Sequence, residues 1–295
     1  MERIIELSEG PARLNVRNSL LVIARGEEPE ITVPLNEVAV LVLGNPQVVL
    51  TAPVLAGLAA AGGMVVVCDE KRMPAGMLLP LAGHFAQGER FGWQAEASLP
   101  LRKRLWQSLV RAKIAAQARA LTDLRGHDAG LRELLPKVRS GDPGNVEAEA
   151  ARRYWPVLFG DPEFRRDRFG ENQNHLLNYG YAVLRAIIAR GVCAAGLHPS
   201  LGLHHHNRYD PFRLVDDIME PFRPMVDRSV ALYCAARGRA APVDRDAKAV
   251  LIGSLLGRFE MEEEKRQLFD IAHRTAVSLV EVFAGERKAL VLPEV

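Results

Sequence analysis

The feature that most constrains the fold is a change of texture near residue 80. Before it, short apolar or alternating segments rich in Val and Ile follow one another: Arg3–Leu7, Ala12–Val16, Ser19–Ala24, Glu30–Val33 and Val38–Leu43. Turn-forming groups separate them at Ser8-Glu9-Gly10, Arg17-Asn18, Gly26 to Pro29 and Gly44-Asn45-Pro46, a spacing that predicts strands. The Ala/Leu-rich run Ala52–Ala61 predicts one short helix ended by Gly62-Gly63, with a buried strand at Met64–Cys68 after it. From Leu99 the apolar residues recur with helical period, through a long amphipathic segment from Met261 to Ala284. Residues 81–98 scatter Gly among aromatics and have no clean period. The expected fold is therefore α+β. A small N-terminal β-domain with one short helix (1–80) precedes a linker (81–98) and a larger all-α domain (99–295). No strand is followed by GxGxxG, which argues against a dinucleotide fold.

Composition narrows the classes further. Of 295 residues, 48% are apolar and 25% charged, an ordinary balance for a globular protein. The net charge is +2, but residues 1–80 hold six Lys+Arg against nine Asp+Glu, so a basic excess of +5 lies beyond them. That permits a nucleic-acid partner without demonstrating one. The three cysteines, Cys68, Cys193 and Cys234, show no CxxC pairing, which argues against a disulfide framework or a cysteine zinc site. The charged N-terminus is no signal peptide and the apolar runs are too short for a membrane span. A cytoplasmic protein with no membrane partner is expected.

Residues 196–227, GLHPSLGLHHHNRYDPFRLVDDIMEPFRPMVD, concentrate the chemistry. They hold four His, four Asp, one Glu and three Arg in 32 positions, too many groups that are costly to bury unpaired for a mere core segment. Asp210-Pro211 suits a helix start, and Asp216 or Asp217 can then share a face with Glu220. Pro221 and Pro224 remove two helical donors, so the helix should bend there. His204, His205 and His206 lie just upstream. In isolation such a triplet is commonly a surface feature; beside three acids it reads as a ligand cluster. Imidazole and carboxylate without thiolate suit Mg²⁺ or Mn²⁺ better than structural zinc.

A further carboxylate comes from the helix expected at Asn145–Leu158, with Asn145 as its N-cap. Glu147 shares a stripe with Ala150, Ala151 and Tyr154, whereas Glu149 lies above Arg152 and Arg153. Glu147 is thus the acid directed inward, either as a metal ligand or as half of a buried ion pair. The helix from Leu99 carries Arg102, Lys103, Arg104, Arg111, Lys113 and Arg119 with no acid before Asp123. It is either a solvated charged face or a phosphate-contacting surface. His127-Asp128 is a weak hydrolase signal and is expected in a loop.

Four segments in order, NVEAEAARRYW, LNYGYAVLR, GLHPSLGLHH and DDIMEPFRPMVD, resemble the universal spacer-acquisition integrase (CRISPR-associated endonuclease) of prokaryotic adaptive immunity, closest to type II systems. The resemblance covers residues 145–227 in motif detail and the whole chain in architecture, and it departs from the family pattern at Asp210 and Arg213. It implies that the α-helical domain is catalytic. It implies Glu147, His205 and Glu220 as catalytic metal ligands, with Asp217 as an auxiliary acid. It also implies an enzyme that joins protospacer 3′-hydroxyls to a CRISPR repeat by transesterification, with nuclease activity as the hydrolytic counterpart. Arg213 and Arg223, with Arg102, Arg111 and Lys113 of the basic helix, would contact double-stranded DNA. Homodimers formed through the β-domain and bridged by a smaller second adaptation protein into a heterohexamer are the implied assembly. The competing readings are a non-catalytic DNA-binding scaffold subunit and a phosphohydrolase using His127-Asp128.

Overall fold

The computed structural model describes residues 2–70 and 73–294. The chain divides into two compact units, residues 1–87 and 88–295.

The first unit contains β1 (Arg3–Leu7), β2 (Ala12–Arg17), β3 (Leu20–Ala24), β4 (Ile31–Pro34), β5 (Val38–Leu43), β6 (Val48–Leu50), α1 (Ala52–Ala60), β7 (Met64–Cys68) and β8 (Pro74–Leu78). They form two four-stranded sheets, ordered β1-β5-β7-β8 and β4-β3-β2-β6. β5 pairs in parallel with both β1 and β7, and β2 with β6, while the remaining pairs are antiparallel. β5 reads VAVLVL because it sits in mid-sheet with five of its six residues buried. α1 supplies the crossover that parallel β5 and β7 require. The chain turns away after it through Gly62 (φ +74°), and a Cβ on Gly63 would come within 2.7 Å of the Val38 carbonyl oxygen. Leu14, Leu21, Val33, Leu41, Val54, Leu58 and Val65 bring both sheets and α1 into one core.

This corrects the expected fold class. Among the described residues, eight strands in two sheets with parallel pairing replace a small β-domain crossed by one short helix. β6 escaped notice because it is three residues long, and β8 because it opens on proline and contains Gly76, which edge strands tolerate.

The second part runs through α2 (Gln87–Glu96), α3 (Leu99–Arg125), α4 (Val146–Phe159), α5 (Gln173–Ala194), α6 (Arg213–Met219), α7 (Arg223–Arg237), α8 (Arg245–Leu255), β9 (Arg258–Met261), β10 (Glu264–Gln267) and α9 (Leu268–Phe283). It is not all-α: β9 and β10 pair as an antiparallel hairpin. The expected long helix from Met261 fails because Glu262 and Glu263 both have positive φ, 53° and 62°, the two-residue turn that matches strand twist. Helical propensity of the EEEK run yields there to hairpin pairing. α2 forms inside the segment expected to be a linker.

α5 is the central helix, buried along most of its length, and α6, α7, α8 and α9 all pack on it. Two glycines allow the close approach. A Cβ on Gly180 would lie 2.5 Å from Val226 Cγ1, and one on Gly191 would meet the Ala272 backbone at 3.0 Å. α3 begins at Ser98, whose hydroxyl accepts from Leu101 N, and ends at Gly126 in the left-handed region. Among the described residues no helix is long and apolar enough to cross a membrane.

Candidate functional site

Glu147 sits in the first turn of α4. The cap expected of Asn145 falls instead to Asp142, whose carboxylate accepts from Val146 N and Glu147 N at 3.0 Å each. Asn145 has φ 50° and makes no side-chain cap bond. Ala150 and Tyr154 are fully buried, as the stripe from Glu147 requires, and Glu149 pairs with Arg153. Glu220 opens a 3-10 turn, Glu220–Phe222, between α6 and α7, where Pro221 and Pro224 interrupt the α-helical ladder.

Lys113 of α3 ties the two acids together. Its Nζ lies 2.5 Å from Glu147 Oε1 and 2.5 Å from Glu220 Oε2. The second contact lacks hydrogen-bond alignment, so the buried Glu220 Oε2 meets the ammonium only as an ion pair. Glu220 Oε1 accepts from Arg223 Nε at 2.9 Å. Burial works against the Lys113 ammonium, yet Glu220 and Glu147 outweigh it and raise its pKa. Burial likewise opposes ionisation of Glu220, but Arg223 and Lys113 prevail and hold it at about 2.

The histidine-bearing loop is built around Asp217, which is fully buried. Its carboxylate accepts from the backbone N–H groups of Leu203, His204 and His205 at 2.6, 3.1 and 3.2 Å. His205 Nδ1 completes the set at 2.6 Å. That bond raises the His205 pKa, burial opposes it, and the charges of Asp217 and Glu220 add to the rise. Gly202 is required because a Cβ there would lie 2.9 Å from Arg213 Cβ and 3.0 Å from Asp217 Oδ2. The indole of Trp106 stacks on His204 at 4.2 Å with the rings 3° from parallel. Burial lowers the His204 pKa.

The pair left open by helical spacing, Asp216 or Asp217, is thereby resolved. Asp216 belongs to Arg185, which holds it bidentately through two 2.7 Å bonds. α6 itself starts at Arg213, later than the Asp210-Pro211 start expected, because Asp210 Oδ1 forms a local turn with Phe212 N.

Other groups also shape the site, and of them Gln94 and Arg166 carried no legible signal. Gln94 of α2 donates to His198 O and Leu201 O and accepts from His198 N, clamping the loop at 2.7–2.9 Å. Asp227 accepts from the hydroxyls of Tyr154 and Tyr181, and burial still pushes its pKa up to about 7. Arg223 covers the Tyr181 ring at 4.7 Å, and Arg166 covers it at 5.4 Å. Arg166, Tyr181, Arg223 and Asp227, with Lys113 and Glu220, line a cavity of about 140 Å³.

Of the cations expected on DNA, Lys113 is turned to the carboxylates and its side chain is 14% exposed. It is a core of the site rather than a surface contact, which sequence spacing on a basic helix cannot reveal. Arg223 is engaged by Glu220, and Arg111 donates to Val138 O. Arg102 and Arg213 are partly buried, each with a shielded Nε. His127 and Asp128 cap their own loop: Asp128 accepts from Gly130 N and Arg132 N, and His127 Nδ1 from Ala129 N.

Among the described residues no three His, Cys, Asp or Glu side chains stand as a preformed metal cage. The donors nonetheless fit a hard divalent cation. Glu147 and Glu220 already converge on one positive charge, and His205 Nδ1 is held by Asp217, which leaves Nε2 for a ligand.

Comparison with known proteins gives this arrangement a context. The family model described as CRISPR associated protein Cas1 matches residues 6–253. The CRISPR-associated endonuclease Cas1 of Neisseria meningitidis is 40% identical over 252 residues, 84% of this chain and 81% of that protein. A Cas1 endonuclease of Pyrobaculum aerophilum is 30% identical over 244 residues, covering 78% of this chain and 81% of that one. Two solved structures share the fold. A casposase bound to integration product superposes with TM-score 0.79 at 18% identity, over 98% of this chain and 92% of that one. A Thermotoga maritima Cas1 protein gives 0.78 at 16% identity, over 98% and 99%. The chain belongs to the CRISPR-associated Cas1 family.

Proposed function

We propose that this chain is the integrase of CRISPR spacer acquisition, a divalent-metal-dependent enzyme that joins protospacer 3′-hydroxyl ends to the repeat by transesterification. The observation that carries the reading is the convergence of Glu147 and Glu220, from separate elements, on a single positive charge. Their donor set, completed by His205, takes Mg²⁺ or Mn²⁺. When bound, that ion supplies Lewis-acid polarisation of the scissile phosphodiester.

The chain's own residues do the rest. Asp217 fixes the His205 ring so that Nε2 faces away from the loop backbone. Arg223, locked over Tyr181 and against Glu220, holds positive charge beside the carboxylates, where a phosphate arrives. Arg213, Arg102 and Arg111 supply further charge for the duplex. Asp227 stays with its two tyrosines, and its own carboxyl is held largely neutral at mildly acid pH.

Substrate and partner rest on kinship. One structural relative, the casposase, is bound to integration product, and another structure is a Cas6-RT-Cas1–Cas2 complex. We extend both to this chain: duplex DNA as substrate, a smaller Cas2-type protein as partner, and homodimers bridged into a heterohexamer.

The test is strand transfer. Protein, Mn²⁺, a labelled short duplex with free 3′-hydroxyls and a supercoiled plasmid are incubated together, with and without the Cas2-type partner. Label should enter the plasmid, and the signal should fall to background with EDTA or with Glu147→Ala or His205→Ala. Nicking without label transfer would reduce the activity to a nuclease. No product in either condition would favour a non-catalytic scaffold.

A further inference from the structure

The Lys113 ammonium occupies a position that its own chemistry does not require. A basic residue on a helix otherwise rich in exposed Arg and Lys would be at least as well solvated at the surface. Instead its aliphatic stem is buried by α3 packing, and its Nζ touches one oxygen from each of two carboxylates at 2.5 Å. A lysine ammonium is a compact point charge with three donors. Placed between Glu147 and Glu220, it makes the same two contacts that a hard cation would make. Arg223 cannot substitute, because it approaches the other oxygen of Glu220, Oε1, and does not reach Glu147 through any described contact. Without Lys113, two acids would be left facing one another, with Glu220 4% exposed and only Arg223 to neutralise it.

We propose that Lys113 is a built-in counter-ion that stands in for the catalytic metal, so that ammonium and divalent cation compete for the same pair of oxygens, Glu147 Oε1 and Glu220 Oε2. This rests on the reading of Glu147 and Glu220 as metal ligands. The consequence is a site whose carboxylates stay organised in metal-free protein, with a metal affinity set by the work of displacing the lysine. Lys113 is a positioning residue in this scheme: it holds ligands for the metal and is not itself a ligand.

The experiment compares full-length wild type, Lys113→Met and Lys113→Arg by two readouts independent of turnover. These are melting temperature in EDTA and in Mn²⁺, and Mn²⁺ affinity by calorimetric titration. Wild type should gain less in melting temperature from Mn²⁺ than Lys113→Met does. Lys113→Met should melt well below wild type in EDTA, recover most of the loss in Mn²⁺, and bind Mn²⁺ about tenfold more tightly, the scale of an ordinary coupling between two ligands. Lys113→Arg keeps the charge, so it should stay folded in EDTA and bind Mn²⁺ no more tightly than wild type. It thereby keeps the test alive if the Met variant does not fold without metal. Equal Mn²⁺ affinity in wild type and Lys113→Met, or tighter binding by Lys113→Arg, would overturn the competition while leaving the metal site intact. Mn²⁺ binding to none of the three, or binding unaffected by Glu147→Gln, would overturn the metal reading itself and the competition with it.

Discussion

At the scale of single residues, Asp217 does more than its place beside three histidines suggests. One carboxylate satisfies three consecutive backbone donors and one imidazole, so the loop's shape and the orientation of His205 rest on the same two oxygens. Asn at this position offers one acceptor where two are needed and places an NH₂ against buried donors. Asp217→Asn should therefore cost about 2–3 kcal/mol of stability by chemical denaturation. On the proposed metal reading, in which Asp217 is the ring partner of a liganding histidine, Mn²⁺ binding should weaken about 10–100-fold in a calorimetric titration. A variant of wild-type stability and affinity would show that the loop holds itself. Helical spacing directs Glu147 inward and leaves Glu220 sharing a face with either aspartate, while their role as a metal-binding pair is what the family resemblance implies. Lys113 was not legible. Its neighbours Arg111 and Arg119 share its charge, and only the packing of α4 and the Glu220 turn against α3 distinguishes it.

At the scale of elements, the glycines of α5 separate two kinds of close contact. At Gly180 the obstacle is a side chain, Val226 Cγ1, while at Gly191 it is the backbone of Ala272 and His273. Either Gly→Ala change gains about 1 kcal/mol of helix propensity, which overpacking of about 1–3 kcal/mol outweighs. Adding Val226→Ala should relieve Gly180→Ala, giving a double variant more stable than the sum of its parts. It should do nothing for Gly191→Ala. Denaturant midpoints for wild type and the five variants decide this, and additive behaviour at Gly180 would place the α5–α7 contact elsewhere. Elements with an unbroken period, such as β5, β7 and α3, are legible because local pattern and burial agree. β8 and the β9–β10 hairpin are not: their residues favour other states, and distant pairing overrides that preference.

At the scale of the whole molecule, two buried acids of the same unit pull the pH dependence in opposite directions. Glu220, held at about 2, contributes stability present at neutral pH and lost as the pH falls toward that value. Asp227, raised to about 7, binds its proton more tightly folded than unfolded. Its contribution is full below about pH 4, the unfolded carboxylate value, and is lost as the pH rises through about 7. His205, also raised, adds to that decline, and His204, lowered by burial, opposes it. Stability measured from pH 5 to pH 8 should thus fall in wild type. The fall should be shallower in Asp227→Asn, whose carbonyl still accepts a tyrosine hydroxyl. An unchanged slope would mean that Asp227 ionises freely in the folded state.

α3 gives the chain a length constraint. Trp106 beneath His204 and Lys113 between the carboxylates are seven residues apart on one helix, so they share a face by about two turns of winding. One codon inserted between them would swing the second about 100° away from the first. No substitution elsewhere could restore both contacts. The segment from 106 to 113 can therefore change its letters but not its count without losing one of the two contacts.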